Sequence, residues 1–426
     1  MSNTAGGSPP APPIIAPSVS TLDALSGTIQ ASIARYDKAK TLHERAVALQ
    51  EIQLSSSKLC QATTPYQQLF AEINFRPNLN VAIRIGVEMG LFKALPTSGE
   101  PSTIADLAQK TNSEEEFLLR IARTVAAFNI IHENDSSKDS LPSYSHTPYS
   151  RFLTSPPAEA STRHLFDEML HAQTNSAVDY YLKNGFRNPT DAKNSPFSFA
   201  HGETDKGVFD ILEEHPEKMR VFNSAMTIVS IIETSEKFQA YPFDRLSPNK
   251  EGVVLVDVGG GKGHVINQIR SAFPNLQGKF ALEDMQVVLD GGTVVPADVV
   301  LQPHDIFKEA QPIQGKIFPK LLRSNYFLKS ILHDWPDSSC LQILANLKTA
   351  MRGSPTSRLL ICELVLPDRN PSASQVLRDI NMLVIAGKER SKSQWNKLLG
   401  EAGYEIMGFY GSESANSGII EARLRQ

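Results

Sequence analysis

A single stretch in the middle of the chain, residues 251–264, limits the possible fold more than any other. Four consecutive apolar residues, Val253 to Val256, predict a β-strand that is buried on both faces of a sheet. Asp257 and a cluster of glycines come directly after it, and apolar residues then recur at helical spacing as far as Pro274. This order predicts a nucleotide-cofactor domain, because a helix N-terminus offers free N–H groups and glycines let a ligand approach the backbone closely.

From this strand to the end of the chain, strand patterns alternate with helix patterns. The further strands are predicted at residues 280–282, 299–301, 326–332, 358–364, 405–410 and 418–423. Such alternation is typical of an α/β fold with a doubly wound, mostly parallel sheet, and the last two strands are predicted to be an antiparallel pair.

The rest of the chain divides into segments of different composition. Residues 1–20, rich in Pro, Ser and Gly, are predicted to be disordered. Residues 21–157 begin with amphipathic helices and continue with two short helices and a β-hairpin, the order of a winged-helix domain. Residues 158–245 are predicted to be helical and are rich in aromatic side chains, either as a bridging core or as one wall of a pocket for a flat apolar ligand. Residues 246–426 form the cofactor domain.

Charge and composition exclude several classes of partner. The second helix of the predicted winged-helix domain begins Glu114-Glu-Glu116, and the 426-residue chain has a net charge of −4, so a packing or dimerisation role is favoured over nucleic-acid binding. No apolar run approaches the roughly 18 residues that span a bilayer, and the N-terminus lacks the pattern of a secretory signal. Three cysteines without a close pair fit a reducing compartment and exclude a cysteine-rich metal site. A cytoplasmic protein without a metal or a membrane partner is expected.

The glycine spacing bears on which cofactor is bound. The turn reads G-x-G-x-G, and His264 occupies the third glycine position of the dinucleotide fingerprint G-x-G-x-x-G. Glu283 and Asp284 stand at the end of the next predicted strand, where an acid hydrogen-bonds ribose hydroxyls. The pattern favours a nucleoside cofactor, with an NAD-dependent dehydrogenase as a disfavoured alternative, and His264 is expected in the first turn of the helix.

Five segments occur in an order that carries a family resemblance: Ile83-Arg-Ile-Gly-Val-Glu-Met-Gly-Leu-Phe92, Val256-Asp-Val-Gly-Gly-Gly-Lys-Gly263, Leu328-Lys-Ser-Ile-Leu-His-Asp-Trp-Pro336, Glu363-Leu-Val-Leu-Pro367 and Gly387-Lys-Glu-Arg390. From about residue 65 to the end, the chain resembles the S-adenosylmethionine-dependent O-methyltransferases of the caffeic-acid type, in the branch common in fungal secondary metabolism. The resemblance implies a Rossmann-like class I methyltransferase domain, S-adenosyl-L-methionine as cofactor, and an N-terminal domain that makes a homodimer.

The resemblance also assigns roles to individual residues. Asp257, Gly260 and Gly261 belong to the cofactor turn, in which Gly259 matches the glycine at the methionine end of the cofactor. Asp284 matches the acid that holds the ribose, and Lys329 matches a basic residue near the cofactor. The residues that match the pair contacting the adenine are Asp305 and Ile306. His333 matches the general base, and the carboxylates that flank it are Glu363 and Glu389.

The chemistry of methyl transfer explains why a base is needed. The leaving group is a neutral thioether and needs no acid, but a phenol with a pKa of about 10 yields little phenolate at neutral pH. A histidine can take that proton as attack begins, and a carboxylate on its other nitrogen would fix the tautomer. His333 and Glu363 each come after an apolar strand, so both are expected at the carboxyl edge of the sheet. Without the resemblance, a helix-capping turn with Asp334 as the N-terminal cap is favoured over catalysis by His333. A solvated charge run is the usual explanation for a residue such as Glu389.

Two departures from the family pattern limit what the resemblance transfers. Residues 316–325 look longer than the pattern, and residues 381–386 look shorter than the plant pattern in a region that would line the acceptor pocket. The predicted function is methylation of a hydroxyl on an aromatic small molecule, phenolic or polyketide, whose identity the sequence does not give. The alternative is a methyltransferase-like, dimeric binding or regulatory protein without turnover.

Overall fold

The computed structural model describes residues 17–134, 142–232, 236–246, 252–308, 310–313, 325–352, 356–411 and 418–425. The chain forms two compact units: one consists of Met1–Gly86 and Glu116–Phe128, the other of Val87–Glu115 and Asn129–Gln426. Of the predicted disordered segment, residues 1–16 lie outside the described part of the chain. Most of the long segment at 316–325 does so as well.

The helices, in chain order, are α1 (Val19–Lys38), α2 (Leu42–Thr63), α3 (Tyr66–Phe75), α4 (Pro77–Glu88), α5 (Leu91–Ala94), α6 (Ile104–Thr111), α7 (Glu115–Ala127), α8 (Pro148–Phe152), α9 (Pro156–Arg163), α10 (His171–Asn175), α11 (Ala177–Asn184), α12 (Pro196–Ala200), α13 (Val208–Glu213), α14 (Pro216–Ile232), α15 (Glu236–Gln239), α16 (His264–Ala272), α17 (Gln286–Asp290), α18 (Asp337–Met351), α19 (Ala373–Leu383) and α20 (Lys392–Glu401). The strands are β1 (Ser102–Thr103), β2 (Ile131–Asn134), β3 (Ser143–His146), β4 (Val253–Val258), β5 (Lys279–Asp284), β6 (Val300–Pro303), β7 (Asn325–Lys329), β8 (Leu359–Glu363), β9 (Val365–Leu366), β10 (Arg390–Ser391), β11 (Tyr404–Tyr410) and β12 (Gly418–Leu424).

The first unit is helical, and α1 and α2 pack against each other within it. The buried Ser32 hydroxyl donates to Glu51 Oε2 at 3.0 Å, and Arg35 forms an ion pair with the same carboxylate. Helix α1 begins at Val19, two residues before its predicted start, because the Ser18 side chain caps it by accepting from Thr21 N–H.

The second unit opens with the predicted hairpin. Strands β2 and β3 pair antiparallel, with Ile131 opposite His146, and β1 completes the order β1-β3-β2. The tip of this hairpin, residues 135–141, lies outside the described chain. The predicted order of helix, helix and hairpin is confirmed, although α7 belongs to the first unit and α6 and the hairpin to the second.

A seven-stranded sheet of order β11-β12-β8-β7-β4-β5-β6 organises the cofactor domain. The strands from β8 to β6 pair in parallel, whereas β12 runs antiparallel to both β8 and β11, as predicted. From β4 the chain builds outward through β5 and β6, then returns to place β7 on the other side of β4. The strand order therefore reverses between β4 and β7, and ligands of such sheets bind beyond the carboxyl ends of the strands at this point.

The central strands are buried on both faces, as their apolar runs predict. On one face Val256, Val258 and Leu328 pack with helices α18 and α20, and on the other Leu255 and Phe327 pack with α16. Alternate residues of one strand thus serve two cores, which fixes the register of the sheet and the positions of its strand ends.

The structure corrects the prediction for residues 326–332. Strand β7 ends at Lys329, because the chain turns at Ser330, where φ is +54°, and enters a 3₁₀ turn at Leu332–Asp334. Helix α18 begins only at Asp337, after Pro336, so Asp334 does not cap it. The prediction of a mostly helical segment at 158–245 is confirmed, with a π-helical turn at His164–Leu170. Within the described ranges, no helix has the length and apolarity needed to cross a membrane.

Candidate active site

The glycine turn after β4 forms the first part of the site. The N–H groups of Gly259 and Gly260 donate to the Glu283 carbonyl at 2.8 and 3.1 Å, and Gly261 N–H donates to Asp284 Oδ2 at 2.8 Å. Gly259 and Gly261 have φ values of +68° and +59°, which favour glycine. A Cβ atom at Gly261 would meet no described atom within 4 Å. The turn is thus tied to the end of β5 on one side and leaves space for a ligand on the other.

Asp257 lies directly beneath this turn. A Cβ atom on Gly260 would stand 2.5 Å from Asp257 Oδ2. The side chain is buried, and among the described residues neither of its carboxylate oxygens has a hydrogen-bond partner. Burial raises the pKa of Asp257 to about 7, although the positive charge of Lys329 opposes the rise. Two orphaned acceptor atoms beside a glycine turn fit the cationic amino group of S-adenosylmethionine.

The residues predicted to contact adenine come after β6 at the same edge of the sheet. Asp305 accepts from Phe307 N–H at 3.0 Å, so its carboxylate closes a tight turn. The Ile306 carbonyl accepts from Asn346 Nδ2 of α18 at 2.8 Å. The residue before Asp305 donates its N–H to the Asp284 carbonyl at 3.0 Å, which joins this loop to the acid predicted to hold the ribose.

Glu283 and Asp284 are neighbours at the end of β5, but their side chains have different environments in the structure. Glu283 is buried and lies 3.0 Å from His304 Nδ1, and it also accepts from Gln311 Nε2 at 2.9 Å. It therefore anchors the loop from beneath, while Asp284 faces the glycine turn. Successive residues of a strand point to opposite faces, so Glu283 shares the face of Ala281 and Asp284 that of Leu282. Both of these neighbours are fully buried, so the sequence pattern did not indicate which acid would face the turn.

The second part of the site surrounds His333 in the 3₁₀ turn after β7. His333 Nδ1 lies 2.9 Å from Glu389 Oε1 and 3.7 Å from Glu363 Oε2, and Nε2 lies 3.5 Å from Asp334 Oδ1. The imidazole is 19% exposed, whereas the side chains of Glu363 and Glu389 are 1% and 4% exposed. The three predicted catalytic side chains thus share one cluster, and the histidine is its most exposed member.

The two glutamates have different tasks in this cluster. Glu363 Oε1 accepts the backbone N–H groups of Ile331 and Leu332 at 3.0 and 2.9 Å, so this carboxylate holds the turn. The carboxylate that pairs with the imidazole Nδ1 is Glu389, not Glu363 as the strand-end argument indicated. The alternative interpretation of Glu389, a solvated charge run, does not hold, because tertiary packing buries this side chain.

A glycine allows the loop carrying Glu389 to approach the turn. Lys388 N–H donates to the His333 carbonyl at 2.7 Å, and a Cβ atom at Gly387 would overlap that same carbonyl oxygen. Asp379 Oδ1 of α19 accepts from Glu389 N–H at 3.0 Å and fixes the loop from the other side.

The electrostatics of the cluster make His333 a strong base. Burial by itself lowers the pKa of His333, but the surrounding carboxylates of Glu363, Asp334 and Glu389 stabilise the imidazolium and raise this pKa to about 10. Burial raises the pKa of Glu363 and brings that of Asp334 to about 6. The imidazole and the two glutamates also offer three possible metal-ligand atoms within 4.8 Å of one another. However, Glu363 Oε1 already accepts two backbone N–H groups, and the absence of a metal stays a prediction.

The two parts of the site adjoin at the switch point of the sheet. A Cβ atom on Gly259 would stand 2.6 Å from Ile331 Cδ1, two residues before His333. Lys329 ends β7, and its positive charge lowers the pKa of Asp257. The residues predicted for the cofactor and for the base therefore meet at one edge of the sheet.

Aromatic side chains continue from the base turn into the helical segment. The ring of Trp335 lies 4.6 Å from that of Phe307 and 5.4 Å from that of Phe209 on α13, which in turn lies 5.8 Å from Phe222 on α14. Neighbouring helices also contribute a buried core that includes Phe197. Residues 158–245 therefore contain both a buried core and aromatic side chains that continue from the base turn, so they fit a bridging core as well as one wall of a ligand pocket.

Fold and site define the class: a Rossmann-like methyltransferase domain with a nucleoside-cofactor turn beside a histidine–carboxylate cluster. Two family profiles match the chain, an O-methyltransferase domain over residues 180–405 and an O-methyltransferase dimerisation domain over residues 78–156. The chain belongs to the S-adenosylmethionine-dependent O-methyltransferases, and S-adenosylmethionine is its cofactor.

Individual comparisons agree with this assignment. O-methyltransferase afvC of Aspergillus flavus is 32% identical over 80% of this chain and 79% of its own. Two solved structures are each 25% identical to this chain. One is described as a pericyclic reaction enzyme and has a TM-score of 0.80 over 96% of this chain and 100% of its own. The other is LepI in complex with S-adenosylmethionine, with a TM-score of 0.79 over 95% and 99%.

Proposed function

We propose that this enzyme methylates a hydroxyl group of an aromatic small molecule, with His333 as the general base. The observation that carries the proposal is the 2.9 Å contact between His333 Nδ1 and Glu389 Oε1. Because Glu389 occupies Nδ1, the nitrogen left to accept a proton is Nε2. The neighbouring carboxylates raise the pKa of His333 toward that of a phenol, which favours transfer of the acceptor's proton to the imidazole.

The cofactor residues belong to the same edge of the sheet. S-adenosylmethionine, when bound, supplies an electrophilic methyl group and a neutral leaving group. Asp257 offers two buried acceptor oxygens to its amino group, and Asp284 is aligned by Gly261 to accept from ribose hydroxyls. Asp305 and Ile306 would contact the adenine, and Lys329 balances the negative charge of Asp257.

The acceptor is proposed to be flat and largely apolar. Phe209 and Phe222 extend the aromatic surface that begins at Trp335, two residues after the base. Stacked and edge-on contacts with such rings stabilise an aromatic ligand more than an aliphatic one. A phenolic or polyketide substrate of fungal secondary metabolism fits this surface, and a cytoplasmic location stays a prediction from the sequence.

The test uses the full-length enzyme with methyl-labelled S-adenosylmethionine and a panel of phenols and phenolic polyketides. Each phenol is paired with its methoxy derivative and with an aliphatic alcohol of similar size. We expect label on at least one phenol and none on its two controls. If calorimetry shows cofactor binding while no acceptor gains label, the alternative of a dimeric binding or regulatory protein without turnover replaces this proposal.

A homodimer is proposed from the first unit and the matched dimerisation domain. Helices α1 to α3 expose large apolar side chains that would be costly to leave in water: Ile33, Tyr36, Leu54, Phe70, Ile73 and Phe75. We expect a sedimentation mass of about twice 46.8 kDa. Ile73→Asp should shift it toward the monomer and Gln67→Asp on the same helix should not. A wild-type monomer would contradict the proposal.

A further inference from the structure

The buried guanidinium of Arg390 contacts the backbone of the turn that carries His333. Arg390 comes directly after Glu389 and is 0% exposed. Complete burial of a charged group costs free energy unless its hydrogen-bond donors are paired. The partners of Arg390 therefore indicate which part of the fold this residue stabilises.

Arg390 holds the turn that carries His333 at both of its ends. Its Nη1 donates to the Leu332 carbonyl at 2.8 Å, and its Nη2 donates to the Trp335 carbonyl at 2.9 Å. These two carbonyls bracket His333 and Asp334 in the sequence. The planar guanidinium therefore spans the 3₁₀ turn, and the fixed geometry of its N–H groups sets the spacing between the two carbonyls.

The same guanidinium is fixed from its other side. Nε and Nη2 both donate to Asp337 Oδ1, at 2.9 and 2.7 Å, where α18 begins. Burial would raise the pKa of Asp337, but the hydrogen bonds from Arg390 hold it below its ordinary value, so the carboxylate stays charged. The guanidinium carbon also lies 5.4 Å from the ring centre of Trp395 on α20.

The residues next to Arg390 also contact the turn that carries His333. Strand β10 begins at Arg390 and pairs with Val365 of β9, and Glu389 immediately before it reaches His333 Nδ1. Lys388 N–H donates to the His333 carbonyl at 2.7 Å. Three successive residues thus contact this turn. Lys388 binds the His333 carbonyl through its backbone N–H, Glu389 binds the imidazole, and Arg390 binds the carbonyls of Leu332 and Trp335.

We propose that Arg390 is a positioning residue that keeps His333 in register with Glu389. This inference rests on the proposed role of His333 as the base. Loosening the turn lets the imidazole move from Glu389, and a displacement of about 1 Å in a reacting group costs up to roughly 100-fold in rate. It also weakens the carboxylate contacts that stabilise the imidazolium. The charged groups that face His333 are Glu389 on the loop, Glu363 at the end of β8 and Asp334 in the turn itself.

The experiment compares Arg390→Lys with Arg358→Lys. Arg358 is a matched control because it also donates to a carboxylate through its Nε, Glu421 at 2.9 Å, but lies where β8 begins, at the opposite edge of the sheet. For Arg390→Lys we expect kcat to fall about 10- to 100-fold, with the KM for S-adenosylmethionine within about threefold of wild type. The pH at which kcat/KM rises should move down toward 6.5, because the pKa of His333 falls when its carboxylate contacts weaken. Arg358→Lys should leave both values unchanged.

A second variant and a second readout keep the inference testable if Arg390→Lys does not fold. Asp337→Asn weakens the same fork at a side chain that is 48% exposed, and should shift the pH profile in the same direction by less. Titration of the His333 ring by NMR, assigned with His333→Gln, gives the same shift without turnover. An unchanged His333 titration in both variants overturns the inference. If His333→Gln keeps its activity, the proposed role of His333 as the base fails instead.

Discussion

Replacing His333 with glutamine is expected to lower kcat for methyl transfer by about 10²- to 10⁴-fold, the usual contribution of a positioned general base. Glutamine keeps a similar volume and can donate to Glu389, so the turn should hold its shape while the proton acceptor is lost. The Kd for S-adenosylmethionine should stay within a few-fold of wild type, because Asp257, Asp284 and Asp305 belong to other segments of the edge. Single-turnover transfer and calorimetric binding measure the two quantities separately.

The pH dependence of wild-type turnover sharpens this test. Because neighbouring carboxylates raise the pKa of His333 to about 10, the neutral base gains population as pH rises, and kcat/KM should increase through the alkaline range. The increase should be absent from the residual activity of His333→Gln. His146→Gln, in which a histidine bonded to Ser150 at 2.9 Å is replaced away from the site, should retain the wild-type profile. A full rate in His333→Gln would mean that the acceptor loses its proton to another group or to water.

The central sheet could be predicted from the sequence because its strands are apolar throughout. Val254 to Val258 are buried on both faces, which leaves little freedom in where the strand lies and where the glycine turn begins. The identity of the groups at the strand ends was also predictable, since Asp257, Asp284 and Glu363 each interrupt or end an apolar run. Parallel strands bring such ends to one edge, and the structure places all three there.

The partners of those groups were less predictable, because they depend on packing between distant segments. Glu389 lies in a run of charged residues that looks solvated in sequence, yet it is buried in a loop that Gly387 allows to approach the His333 turn closely. The end of strand β7 at Ser330 was not predicted either, because the chain turns there with a φ of +54°. A positive φ at a residue other than glycine leaves no reliable trace in the sequence.

Replacement of Asp284 is expected to weaken the binding of S-adenosylmethionine strongly. Asp284→Ala is expected to raise the Kd for S-adenosylmethionine roughly 10- to 100-fold, since a hydrogen bond to a charged group contributes about 1.5–3 kcal/mol. Gly261 N–H and Met285 N–H donate to its two oxygens at 2.8 Å each, which orients the carboxylate and leaves further lone pairs for ribose hydroxyls. Asp284→Asn keeps one acceptor oxygen and should lose less. Asp290→Ala, at the exposed end of α17, serves as the control without effect.

The value of this variant lies in its contrast with His333→Gln. At saturating cofactor, Asp284→Ala should recover a kcat within a few-fold of wild type, because its carboxylate acts on binding and not on the acceptor proton. Loss of kcat at saturation together with an unchanged Kd would contradict the assignment, and would mean that Asp284 acts by holding the glycine turn in shape. The glycine turn and the histidine cluster meet at one edge of the sheet, yet one should govern cofactor affinity and the other turnover.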